Sequence, residues 1–167
     1  AAEVLCTEEF GDVVIVPVAA RCHKTGAVSP EIEARIEECQ ATSGEVEVLG
    51  CDALASSAGG DSTCCTRSAT CFELVLNRSV VQSYLDSGAY LVTPSWLAGW
   101  RTVLAEWQFD QPGARAFFAE CATHVLLLDT GVDPESDAHL EAFADYVGLP
   151  PQSLTVGLTH LRERVLA

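Results

Sequence analysis

The segment Gly88-Ala89-Tyr90-Leu91-Val92-Thr93-Pro94-Ser95-Trp96-Leu97-Ala98-Gly99-Trp100 decides the fold class. Tyr90 to Val92 is short, apolar and suited to a strand. Thr93-Pro94 then opens a helix, because proline at the first helical position gives up an N–H that has no intrahelical partner anyway. Beyond it Trp96, Leu97, Trp100, Val103, Leu104 and Trp107 recur at spacings of three and four, which puts them on one helix face. A strand passing directly into a helix is the unit from which α/β sheets are built. The tryptophan stripe is read as core packing in preference to a ligand wall.

The same alternation continues on both sides. Downstream, Pro112 opens a helix whose face carries Ala114, Phe117, Phe118 and Cys121, and Val125 to Leu128 is a buried strand followed by Asp129-Thr130-Gly131. Leu140, Phe143, Ala144 and Val147 mark another amphipathic helix that Gly148 and Pro150 end, and Leu158 to Leu166 is a final short helix. Upstream, residues 71–86 read as one helix with Leu74, Val75, Val81 and Leu85 toward the core, and Gly88 ends it. Val46 to Gly50 is a short strand, Ser29-Pro30 starts a helix carrying Ile32, Ile36 and Cys39, and Val13 to Ala20 is β-branched enough for a buried strand. Pro17 pushes that strand toward a sheet edge or bulge. Val4 to Cys6 is a further candidate strand, and residues 52–70 read as a long irregular loop. The expectation is a single α/β domain over residues 1–167, with a doubly wound, mainly parallel sheet of Rossmann or flavodoxin type.

Composition narrows the function. At 167 residues, 49% apolar and 20% charged, the chain can bury a core without disulfides or a metal. A net charge of −15, from 24 acidic and 9 basic residues, repels phosphate backbones and argues against nucleic-acid binding. No apolar run reaches the roughly 20 residues needed to span a bilayer, so no membrane role is expected. The absence of Met implies a start that is processed or trimmed. Eight cysteines, two of them the adjacent Cys64-Cys65, fit reduced thiols in a cytoplasmic protein better than a secreted disulfide framework.

In open parallel sheets ligands bind beyond the carboxyl ends of strands. Cys6, the Cys22-His23 pair, Cys51 and Asp129 all lie at or just after expected strands. Thiolate and imidazole are the donors preferred by zinc and by iron–sulfur clusters, so Cys6, His23 and Cys51, with Cys64, Cys65 or Cys71, can form a metal site gathered from separate loops. The spacing matches no standard zinc pattern, and the competing reading is that these cysteines pack as small apolar residues. Cys39 and Cys121 are expected in the core. Asp129 either binds a ligand or caps a turn, which Asp before Thr-Gly does readily. Cys71 at a helix start or Cys22 beside His23 is a second candidate chemistry, that of an activated thiol. His124, His139 and His160 read as ordinary packing or surface residues. The chain has no dinucleotide fingerprint, no P-loop, no nucleophile elbow and no H-E-x-x-H.

Several landmarks together carry a resemblance. They are V-L-C-T-E-E-F at 4–10, C-H at 22–23, V-L-G-C at 48–51, T-C-F-E-L at 70–74, G-A-Y-L-V-T-P-S-W-L-A-G-W at 88–100 and L-L-L-D-T-G at 126–131. The chain resembles a family of prokaryotic proteins classed only as a domain of unknown function. Some members are encoded near corrinoid-dependent methyltransferases or precede sensor kinases. That resemblance implies a small-molecule or cofactor-binding role without an assigned reaction, in which Cys6, His23, Cys51, Cys71 and Asp129 match recurrent polar positions. The loop at 52–70, with Cys64 and Cys65, departs from the pattern.

The leading expectation is an intracellular sensor-type domain. Cys6, His23, Cys51 and Cys71 would hold zinc, iron or a metal-containing cofactor such as a corrinoid, with Asp129 at the pocket edge. Its partners would be a small molecule or metal ion and a second copy or a downstream signalling domain, reached through 158–166 if the protein continues. The alternatives are a small thiol- or metal-dependent enzyme of corrinoid or one-carbon metabolism, and an interaction domain whose cysteines only pack.

Overall fold

Five strands form two parallel sheets in the computed structural model, which describes residues 13–17, 30–43, 46–51, 63–68 and 70–166. The chain separates into two compact units, one drawn from residues up to Leu74 and the other spanning Val75–Arg162. Among the described residues no helix is long and apolar enough to cross a membrane.

The first unit contains helix α1 (Pro30–Ser43), strand β1 (Val46–Cys51), strand β2 (Thr63–Ser68) and a 3-10 turn at Cys71–Leu74. β1 and β2 pair in parallel from Val46↔Thr63 to Cys51↔Ser68. The expected irregular loop therefore contains a strand. Thr63-Cys64-Cys65-Thr66-Arg67-Ser68 lacks the apolar alternation by which a strand announces itself, and the neighbouring β1 supplies the ladder that orders it. Residues 52–62 lie outside the described residues, as do the expected strand at Val4 to Cys6, the Cys22-His23 loop and the Ser29 cap. The expected buried strand at Val13 is not found over 13–17. Val13 makes an isolated bridge, and Val14 is 82% exposed. β-branching favours a pleated, half-buried surface but cannot create one.

The second unit contains α2 (Arg78–Asp86), β3 (Ala89–Val92), α3 (Pro94–Ala98), α4 (Trp100–Glu106), α5 (Gln111–Cys121), β4 (His124–Asp129), α6 (Ser136–Val147), β5 (Pro151–Thr155) and the start of α7 (Thr159–Val165). The sheet order is β3-β4-β5, all parallel, with β4 in the centre. Val125, Leu126, Leu127 and Leu128 are all buried, so both faces of β4 are covered, as a parallel sheet requires. On one face Val92, Val125 and Leu127 join Leu97, Trp100 and Phe118, and the α6 residues Leu140, Phe143, Ala144 and Val147 close over them. The four α6 positions are those expected from their spacing.

Several boundaries differ from expectation. The helix expected over 71–86 is two pieces. Asn77 Oδ1 accepts from Ser79 N and Ser79 Oγ, each at 2.9 Å, and so starts α2 afresh. Leu85 is 40% exposed and Phe117 is exposed too. The tryptophan helix breaks at Gly99 into α3 and α4, and its stripe remains on the buried side at Leu97, Trp100 and Leu104. Cys121, expected in the core, is exposed because it is the last residue of α5, where the chain leaves the helix; Cys39 is half-buried. β5 was not expected at all: Pro151-Gln152-Ser153-Leu154-Thr155 is mostly polar and exposed, and its ladder with β4 makes it a strand.

Candidate functional site

The carboxyl ends of β3, β4 and β5 lie side by side. β3 stops at Val92, opposite Leu127, and passes through Thr93 into α3. Thr93 Oγ1 and Ser95 Oγ are 3.4 Å apart there. β4 ends on Asp129, whose Oδ1 accepts from Gly131 N at 2.8 Å and closes an Asx turn. The Asp129 carbonyl accepts from Val156 N (2.8 Å) and Gly157 N (3.2 Å), tying the end of β5 to that of β4. Gly131 and Gly157 have φ of +72° and +61°, and a Cβ at either would meet nothing within 4 Å. Two adjacent strand ends therefore carry bare backbone beside open space, the arrangement that lets a ligand approach main chain closely.

α6 begins just after this edge. Asp133 Oδ1 accepts from Glu135 N at 2.9 Å, and Ser136 N donates to Asp133 O at 3.2 Å. Ser136 is 3% exposed, and its Oγ has no hydrogen-bond partner. His139 Nδ1, one turn further on, is also buried without a partner. Buried polar atoms are ordinarily paired, so two orphans within four residues of each other stand out.

The opposite edge is built differently. An open depression of about 410 Å³ is lined by Arg115, Glu141, Asp145, Gly148 and Pro151 among others. Arg115 donates from Nε to Tyr146 O at 3.1 Å and from Nη2 to Asp145 O at 2.8 Å. These bonds satisfy last-turn carbonyls of α6, so the guanidinium is engaged in capping the helix.

Of the residues singled out in the sequence, Asp129 sits where it was expected, at the end of β4, and it caps the turn. Cys51 is the last residue of β1, and Cys71 is the first of the 3-10 turn, which packs against β1 and β2. The carboxyl end of the β1–β2 pair thus carries both cysteines on adjoining elements. Cys6 and His23 lie outside the described residues. Among the described residues no group of three or more His, Cys, Asp or Glu side chains is arranged to hold a metal ion. Sequence reasoning passed over Thr93, Ser95 and Ser136 and read His139 as ordinary. The position of Ser136 one turn before Leu140, on the stripe facing the sheet, was the available signal.

A family model described as a protein of unknown function (DUF1638) matches residues 28–165. The chain belongs to DUF1638. The landmarks from Val48 to Gly131 fall inside the match, so the DUF1638 region holds Cys51, Cys71 and Asp129, while Cys6 and His23 precede it. No curated protein and no solved structure matches this DUF1638 chain.

Proposed function

We propose that this DUF1638 protein is a cytoplasmic, sensor-type domain that binds a small molecule beyond the carboxyl ends of β3, β4 and β5. The observation that carries this reading is the coincidence, at one edge, of two open positive-φ glycines, the Asp129 turn and the orphaned Ser136 hydroxyl. Binding there would act on the loops at 130–135 and 156–158, and a downstream signalling domain or a second copy would receive the change. The ligand can shift such an equilibrium only by its different affinity for the two states. A doubly wound sheet belongs to the same proposal, because β3-β4-β5 advances in one direction as half of such a sheet does.

A thermal-shift screen against a library of small metabolites tests the reading. A ligand at 100 times its Kd should stabilise the protein by about 2.7 kcal/mol. Gly157→Asn tolerates the left-handed backbone while filling the open edge, and it should remove that stabilisation. A stabilising compound unaffected by Gly157→Asn, or no stabilising compound, sinks the proposal.

The metal reading is proposed separately, for Cys6, His23, Cys51 and Cys71. It is supported by the placement of Cys51 and Cys71 on elements that contact each other, because thiolates suit zinc, an iron–sulfur cluster or another soft metal centre. Elemental analysis of protein purified anaerobically without chelators should give near-stoichiometric zinc, iron or cobalt. Substoichiometric metal would leave these cysteines as packing residues.

A further inference from the structure

We infer that the ligand of the carboxyl edge is an organic cation, bound through a hydrogen-bonding ammonium group by Asp129 and Ser136; the inference rests on the reading of that edge as the binding site. Two independent features carry it.

The first is the orphan. Ser136 is 97% buried by its 3% exposure, and its Oγ has no partner. It continues the sheet-facing stripe of Leu140, Phe143, Ala144 and Val147, all buried. Helical Cβ atoms tilt toward the N-terminus, so the Cβ of this first-turn residue is tilted toward the start of α6, the end that follows β4 in the chain. A hydroxyl oxygen there accepts an N–H as readily as it donates.

The second is the charge. Helix N-termini ordinarily favour phosphate or carboxylate. Here Asp129, Asp133, Glu135 and Asp137 crowd that end, and residues 116–161 contain no Lys or Arg. β3 and α3 contain no Lys or Arg; Arg101, in α4, lies over the Trp100 ring at 4.2 Å, and Arg115 is bonded to the last-turn carbonyls of α6. An anion at this edge would meet carboxylates with no counter-charge from those segments, whereas an ammonium group meets the opposite. Asp129 Oδ1 is occupied by Gly131 N, and Oδ2 makes no hydrogen bond among the described residues. An ammonium has three N–H donors; one can go to Asp129 Oδ2 and one to Ser136 Oγ, while the open backbone at Gly131 and Gly157 leaves room for its carbon chain.

The test is a titration of the 15N-labelled full chain, followed at the amides of Gly131, Ser136 and Gly157. The probes are n-butylammonium, its isostere butyrate and inorganic phosphate, at constant ionic strength. Butylammonium should shift these amides saturably. Asp129→Asn keeps the acceptor for Gly131 N–H but loses the charge, and should weaken binding about tenfold. Ser136→Ala should weaken binding while melting no lower than the parent, because it removes a hydroxyl that has no partner. Saturation by butyrate or phosphate at the same amides would overturn the ammonium assignment and leave the edge as a binding site. Shifts from none of the probes, or linear shifts spread over the acidic surface, would also overturn it. The edge itself fails only if the metabolite screen finds no ligand that Gly157→Asn displaces.

Discussion

Tyr90 shows how a residue's surroundings set its chemistry. Its ring meets Phe118 edge-on at 4.8 Å and Trp96 at 5.9 Å, and lies 6.3 Å from Phe143. Burial, with a smaller push from Cys121, raises its phenol to about 12 from the usual 10.0. The folded state therefore holds this proton more tightly than the unfolded chain does. The resulting stability is whole below about pH 10 and is lost as pH rises through about 12, by at most roughly 2 to 3 kcal/mol. Urea titrations at pH 9 and pH 11.5 should show a steeper loss for the parent than for Tyr90→Phe. Equal slopes would mean that Tyr90 titrates as it does in water. At the same scale, Asp129 was legible as a strand-end residue, because Asp before Thr-Gly has a local reason to turn the chain. Ser136 was not, because the orphaning of a hydroxyl depends on what packs around it.

At the scale of elements, local chemistry and tertiary pairing divide the credit. α5 starts where Asp110 Oδ1 accepts from Gly113 N at 2.8 Å, with Pro112 in the first turn. This cap is written in the sequence, and Asp110→Ala should cost about 1 kcal/mol in denaturant unfolding. A cost near zero would mean that α5 is held by packing alone. β5 is the opposite case. Nothing in Pro151 to Thr155 requires a strand; β4 requires it, from Val125↔Pro151 to Asp129↔Thr155. β2 is likewise ordered by β1. Both strands were invisible to apolar periodicity because neither repeats an apolar residue at every second position.

At the scale of the whole molecule, the unit spanning Val75–Arg162 is organised around an aromatic cluster. Phe143 is fully buried and lies 5.0 Å from Trp96, 5.5 Å from Trp100 and 5.5 Å from Phe118. It joins α6 to α3, α4 and α5 over the sheet, and thereby holds the start of α6 at the carboxyl edge. Phe143→Ala should cost about 3 to 5 kcal/mol, a large share of the stability of an ordinary domain. A urea midpoint close to that of the parent would show that the cluster can collapse around the missing ring. The tryptophan stripe that begins at Trp96 was read as core from its spacing, and the ring contacts bear that out. The cysteines divided differently. Cys121 was expected in the core on the same periodic argument, and it is exposed because a periodic stripe says nothing about where its helix ends.

The sequence by itself determined the α/β class, the strand-to-helix passage at Val92-Thr93-Pro94, the buried β4 and the inward face of α6. These depend on local propensity, capping and periodicity, which act over a few residues. Only the tertiary structure decided the order β3-β4-β5, the existence of β2 and β5, and the bonds that tie Val156 and Gly157 to Asp129 at one edge. Those features are pairings between residues distant along the chain. The free energy of such a pairing belongs to the ladder or the packed face as a whole, so no single segment carries the signal for it.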